Sequence, residues 1–465
     1  LTLAGSAAAA DAVSGPDPAV LAQIRDAALK TDWAYQQLGD LADGIGPRLS
    51  GSPQAEAAVA QVAEALRAAG LKVTLQPVKV PHWVRGEEHA ELTAYPGRPD
   101  GVIQKLHLTA LGGSAATPVG GLSAPLLVVK SFAELDAHAT EARGKIVLLS
   151  MPYDQHLADN GYAGQAYGQA GESRFRGPAA IAKLGAVAAL VRSVGGADYR
   201  LPHTGTTNWE EGGARIPAAA LSAEDAMLVE RLAAKGPVTM QLTLTPQTLP
   251  DADSHNVLGD LVGREKPDEV VIVSGHLDSW DLGTGAMDDG IGVTAAMGAV
   301  ALLKSLNLQP RRTIRAIAWM NEENGGRGGK AYFDSVKDRL QSQTAAIESD
   351  FGIGLPIGVL ASIKPDDAKK LKPVLDALRP IGAGAFDRRD GEVGSDIDPL
   401  QKAGVPGFAP LTDSRHYFDY HHTAADTFDK VSPEVMQHLV AVLAVLSYAL
   451  AELPEPLARV PPAAP

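Results

Sequence analysis

In the second half of the chain, short apolar runs alternate with helix-length stretches: "VVIVSGH", then "GVTAAMGAVALLKSL", then "RTIRAIAWM", then "AAIESD". Short apolar strands flanked by helices predict a largely parallel α/β sheet covered on both faces. Earlier, "SGSPQAEAAVAQVAEALRAAGLKVTLQPVKV" places Ser52 to cap a helix that begins at Pro53. Val59, Val62, Ala63 and Leu66 share one face of that helix, and Gly70 ends it before a strand. A further helix is expected from Pro18 to Leu38.

Two stretches rich in turn formers, "PGRPDG" and "TPQTLPDADS", read as breaks in the chain. Between them lie strands in "APLLVVK" and "GKIVLLSMP", a helical "GPAAIAKLGAVAALVRS" and the segment "RIPAAALSAEDAMLVERLAA". These elements suffice for a separate α/β domain over residues 103–246, inserted into a larger domain made of 18–102 and 247–453. Residues 1–17 read as a tail, and the Pro-rich end 454–465 is expected to fray.

A chain of 465 residues with 45% hydrophobic positions can build such cores. A net charge of -14 argues against a nucleic-acid partner. No cysteine is present, which excludes disulfides, thiolate metal ligands and a cysteine nucleophile. The first residues, "LTLAGSAAAADA", resemble the end of a signal peptide with a small-residue cleavage site, so the mature chain is expected to start near Asp11 and to be exported to a periplasmic or extracellular space. No other run approaches the roughly 20 apolar residues of a membrane span.

Ligands of open α/β sheets bind beyond the carboxyl ends of the strands. There His276 and Asp278 follow one predicted strand, Glu322 and Glu323 a second, and Asp350 a third, while "YFDYHHTAADT" adds His421 and His422. So much negative charge at one edge is costly without a cation. Mixed imidazole and carboxylate ligands suit zinc, and five of them suit two ions if one carboxylate bridges, an arrangement that serves hydrolysis. "GIGVTA" fits a dinucleotide pattern, but the acidic loop before it would repel a pyrophosphate. Neither H-E-x-x-H nor G-x-S-x-G occurs.

The segments "GHLDSWDLGTGAMDDGIG", "NEENGG", "ESDFG", "GSDIDPLQKAGVPGF" and "HYFDYHHTAADTFDKVSP" resemble the di-zinc exopeptidases that include bacterial leucyl aminopeptidases and glutamate carboxypeptidases, with wording typical of the plasma branch of the latter. The resemblance runs from "GPRLSGS" to "DKVSP" and implies a phosphorylase/hydrolase-like fold with a protease-associated insert. It also implies two zinc ions, one on His276, Asp288 and Asp350 and one on Asp288, Glu323 and His422. Glu322 would be the general base, and Asp278 would orient His276. His421 stands where many relatives have Tyr, and is expected to donate to the oxyanion. Ser395, Asp396 and Arg415 are expected to line the substrate pocket, with Arg388 and Arg389 as further candidates for a substrate carboxylate, whereas Asp281 and Asp289 are expected to order their loop. The substrate would be a short peptide, and a homodimer is the open alternative to a monomer. Rival readings are a receptor-like protein, which should have lost ligands, and a glutaminyl cyclase, which should lack the insert and use one zinc.

Overall fold

The computed structural model describes residues 15–460. The leader-like residues 1–14 and the last five residues lie outside that range. The larger sheet has eight strands in the order Lys72–Val84, Gln247–Leu261, Arg312–Trp319, Lys266–His276, Gln343–Glu348, Gly407–Thr412, Pro356–Ser362 and Ala385–Arg388. Its four middle strands run parallel. Antiparallel strands flank them, so the sheet is mixed around a parallel centre.

Alternate side chains of a strand point to opposite faces. Val271 and Val273 accordingly enter one core while Val270 and Ile272 enter another. Helices Ile291–Ser305 and Pro433–Glu452 cover the first face, and Arg327–Val336 with Asp398–Lys402 cover the second. Two segments, Ala286–Ser305 and Pro433–Glu452, reach the length and hydropathy of a membrane span, contrary to the sequence reading. They are core helices here, with 89% and 78% of their apolar windows buried.

The smaller sheet also has eight strands: Gln104–Leu106, Glu88–Ala94, Thr239–Leu244, Leu122–Val129, Ile146–Leu149, Ala188–Arg192, Ala218–Leu221 and Leu108–Ala110. The expected boundary at residue 103 is therefore too late, because Glu88–Ala94 pairs with Thr239–Leu244 and belongs to this sheet. The expected break at 245–254 is a strand. Gln247–Leu261 runs along Lys72–Val84, and Pro250 sits at the bulge opposite Val80 and His82, where its missing N–H costs no ladder bond.

The helix expected from Pro18 to Leu38 is two helices, Pro18–Ala28 and Trp33–Ala42, parted where the Thr31 hydroxyl accepts from Trp33 N at 3.3 Å. Helix Pro53–Ala68 forms as expected, with the Ser52 hydroxyl accepting from Ala55 N. In "GPAAIAKLGAVAALVRS" the helix stops at Lys183, and Ala188–Arg192 is a buried strand with parallel neighbours on both sides. Residues 454–460 are not frayed: Leu457 is buried, Ala458 N donates to Asp367 at 2.7 Å and Val460 N to Gly404 O at 3.0 Å.

The start of helix Ile291–Ser305 lies hard against the carboxyl edge of the larger sheet. A Cβ on Gly292 would meet the Ser349 carbonyl oxygen at 1.9 Å. Backbone cannot rotate away as a side chain can, so Gly292→Ala is expected to cost about 3 kcal/mol of stability. An unchanged melting temperature for that variant would refute this account of the packing.

Candidate metal centre

Five side chains meet at that edge. His276 is the last residue of its strand, Asp350 lies two residues beyond Glu348, and Glu323 lies in the turn after Arg312–Trp319. His422 lies in the loop after Gly407–Thr412, and Asp288 in the turn that opens helix Ile291–Ser305. Glu322 and Glu323 lie in a turn that the backbone enters through Asn321 at φ 77°. His422 has φ 58°. Positive φ at non-glycine residues is a cost that surrounding contacts must hold.

His276 Nε2 is 3.1 Å from Asp288 Oδ1 and 3.3 Å from Asp350 Oδ1. His422 Nε2 is 3.0 Å from both Asp288 Oδ2 and Glu323 Oε2. The two triads expected from the resemblance thus form and share Asp288. Ligands about 2.0–2.1 Å from a tetrahedral ion stand about 3.3 Å apart, which is the spacing seen. Asp288 Oδ2 is buried and has no hydrogen-bond partner among the described residues, although imidazole nitrogens lie beside it. In each triad the donor atoms lie within 4.8 Å of one another, so the residues fit a divalent ion in each.

Charge crowding shows in the titration. Burial, then repulsion from Asp288, pushes Glu323 up to about 7, and burial, then Asp350, does the same for Glu348. Glu322 is likewise raised by burial and by Asp350 and Glu323. Burial opposes charge on His276, but Asp350 and Asp288 outweigh it and raise its pKa.

The supports are only partly those expected. His276 Nδ1 lies 2.8 Å from the main-chain carbonyl of Asp278, not from its carboxylate. That carboxylate instead accepts from Asn321 N at 2.6 Å, Glu322 N at 3.1 Å and the Ser50 hydroxyl at 2.7 Å. Asp278 therefore orients His276 with its backbone and the Glu322 turn with its side chain. Asp289 accepts from His276 N and Gly292 N, and Asp281 from Arg85, so both order their loops as expected. Glu322 is half-buried.

Several residues were missed. Arg48 is fully buried and donates to the carbonyls of Leu277 at 2.5 Å, Thr284 at 2.8 Å and Gly285 at 2.7 Å, tying down the loop that carries Asp288. Asp426 accepts from Met287 N and Asp288 N. The smaller sheet contributes as well: Thr204 N donates to the His422 carbonyl at 2.9 Å, and Thr204 O lies 3.3 Å from His422 Nδ1. Arg174 Nη1 donates to Thr204 O at 3.1 Å and to the Tyr167 hydroxyl at 2.6 Å. Arg48 stands in the quoted "GPRLSGS" and Asp426 in "HHTAADT", whereas Thr204 and Arg174 sit in stretches without any periodic or motif signal.

His421 is buried, stacks on His422 with ring centroids 3.7 Å apart, and sets its Nε2 3.2 Å from Asp288 Oδ2. Asp396 is buried with both carboxylate oxygens unpartnered among the described residues, and its N donates to Glu348. Ser395 and Arg415 are not brought to the triads. Ser395 is exposed at a turn, and Arg415 is exposed with its guanidinium bidentate on Asp413. Arg388 pairs with Asp390.

An α/β sheet that gathers two overlapping imidazole–carboxylate triads beyond its parallel strands defines a metal-dependent hydrolase. Residues 256–447 match the model of peptidase family M28. Carboxypeptidase Q of Xenopus laevis is 39% identical over 428 residues, covering 92% of this chain and 87% of that one. A peptidase M28 precursor from Shewanella amazonensis superposes with a TM-score of 0.90 at 35% identity, over 96% of this chain and 99% of that one. BSAP, a zinc aminopeptidase from Bacillus subtilis, shares the fold with a TM-score of 0.65 at 22% identity, over 89% of this chain and 94% of that one. The chain belongs to peptidase family M28.

Arg48→Met leaves three buried carbonyls without their donor and loosens the Asp288 loop. Zinc affinity is expected to fall about 10–100-fold, as for other groups that orient ligands. Competition with a chelating dye reads this, and an unchanged affinity would remove Arg48 from the metal site's support.

Proposed function

We propose that this chain is a di-zinc exopeptidase that hydrolyses dipeptides or terminal residues of short peptides. The observation that carries the reading is the pair of triads sharing Asp288, with Glu322 next to Glu323 in the chain and near enough to Asp350 and Asp288 to be repelled by both. Similarity to carboxypeptidase Q supports the same class of reaction. Both triads keep all their ligands, which speaks against a receptor-like protein and against a one-zinc cyclase.

His276, Asp288 and Asp350 would hold one zinc and Asp288, Glu323 and His422 the other. Bound there, the ions supply Lewis acidity to the peptide carbonyl and acidify the attacking water. Glu322 takes the proton from that water and returns it to the leaving amine. Asp278 fixes this base by holding the Glu322 backbone N–H. His421 presents Nε2–H beside Asp288, where it stabilises the oxyanion. Asp396 closes the pocket behind the base, next to Glu348.

The smaller sheet is read as a protease-associated insert that shapes access, a reading supported by its contacts with the His422 loop.

Zinc per chain, together with turnover of free dipeptides, N-blocked dipeptides and aminoacyl amides, tests the proposal. Two zincs are expected in the wild type and in Glu322→Gln, with kcat lowered about 10²–10⁴-fold in the variant. Loss of turnover on N-blocking would mark recognition of the free amine. Metal-free protein, or turnover indifferent to Glu322, would sink the mechanism.

A further inference from the structure

His203 lies in the smaller sheet's unit, in the loop between strands Ala188–Arg192 and Ala218–Leu221. It is completely buried, and its backbone N donates to the Ser193 hydroxyl at 2.9 Å. Its ring packs near Tyr167, His421 and His422, with centroids 5.6, 5.4 and 5.1 Å away. His203 Nε2 is 3.3 Å from His421 Nδ1, and its own Nδ1 has no partner among the described residues.

We propose that His203 is a positioning residue that donates Nε2–H to His421 Nδ1 and so fixes the tautomer in which His421 carries its proton on Nε2, facing the metal pocket. This rests on reading His421 as the donor to the oxyanion.

The chain of contacts sets the direction of each proton. A neutral imidazole has one N–H and one bare nitrogen. An N–H on His203 Nδ1 would meet no acceptor among the described residues, so the His203 proton sits on Nε2, 3.3 Å from His421 Nδ1. His421 Nδ1 is then the bare nitrogen that accepts it, which leaves the His421 proton on Nε2, 3.2 Å from Asp288 Oδ2. In the opposite arrangement a buried N–H would be stranded and His421 would turn a lone pair towards the site.

The tautomer matters because only an N–H can stabilise developing negative charge. Among the described residues His203 is the only group that hydrogen-bonds a ring nitrogen of His421, and the rings of Tyr417, Phe418 and Tyr167 surround His421 and restrict its tilt without choosing which nitrogen is protonated. The selecting group therefore comes from the smaller sheet's unit, so the catalytic form of His421 depends on that unit being docked.

The test uses the zinc-loaded protein labelled with ¹⁵N-histidine, in the wild type and in His203→Leu, His203→Gln and His203→Asn, with His421→Phe identifying the His421 resonances. The Nε2–H tautomer of His421 is expected in the wild type and in His203→Gln, whose amide can replace the donor. In His203→Leu and in the shorter His203→Asn the Nδ1–H form should appear, and kcat should fall about 10–100-fold, with KM and zinc content little changed. An unchanged tautomer in His203→Leu or His203→Asn overturns the proposal, as does loss of a zinc ion, which would make His203 a ligand. Unchanged kcat in His421→Phe, with the tautomer still following His203, would reject the role of His421 while leaving the positioning by His203 in place.

Discussion

Unbalanced negative charge at the carboxyl edge of the larger sheet governs this structure. Asp288, Glu323, Asp350, Glu322, Glu348, Asp396 and Asp426 crowd there, and the two buried arginines beside them, Arg48 and Arg174, form no ion pair with any of them among the described residues. Both guanidiniums donate to carbonyls or a hydroxyl instead. A buried carboxylate without a partner either binds a proton or needs a cation. By tying its arginines to the backbone, the fold shapes the loops with them and leaves the carboxylates for divalent ions.

The second consequence concerns the smaller sheet. Its unit reaches the metal loops by bonds of two kinds. Backbone groups join directly, as where Gly196 N donates to Phe418 O at 2.9 Å and Thr204 N to His422 O. Arg85 bridges with its side chain, donating to Asp281 of the metal loop and to Thr109, Ala110 O and Thr204 of the smaller sheet. The wall of the site is thus built from both units, and His422 lies against a carbonyl of the smaller sheet's unit.

The central strands and the five residues of the two triads were legible because each carried a strong local signal: an apolar run of strand length, then acid or imidazole at its end. The flanks were not. Gln247–Leu261 is studded with turn formers, and its exposed half is held by a long ladder to Lys72–Val84, a tertiary pairing that local composition does not announce. Arg174 and His203 act through approach in space across more than 200 positions of sequence, so no spacing rule could bring them to His421 and His422. Arg415 misled for the opposite reason: a lone cation near a motif reads like a substrate clamp, yet Asp413 two residues away satisfies it.

The use of carbonyls rather than carboxylates behind the ligand histidines follows from the same charge balance. A carboxylate behind His276 or His422 would strengthen the imidazole as a ligand, but it would add another negative charge to a crowded edge. The main-chain oxygen of Asp278 fixes the tautomer of His276, with the proton on Nδ1, through a dipole alone. That choice frees the Asp278 carboxylate to hold the turn that carries Glu322 and Glu323. One residue thereby holds both His276 and the turn of Glu322, and the distance between those two groups is fixed by a stretch of backbone only a few bonds long.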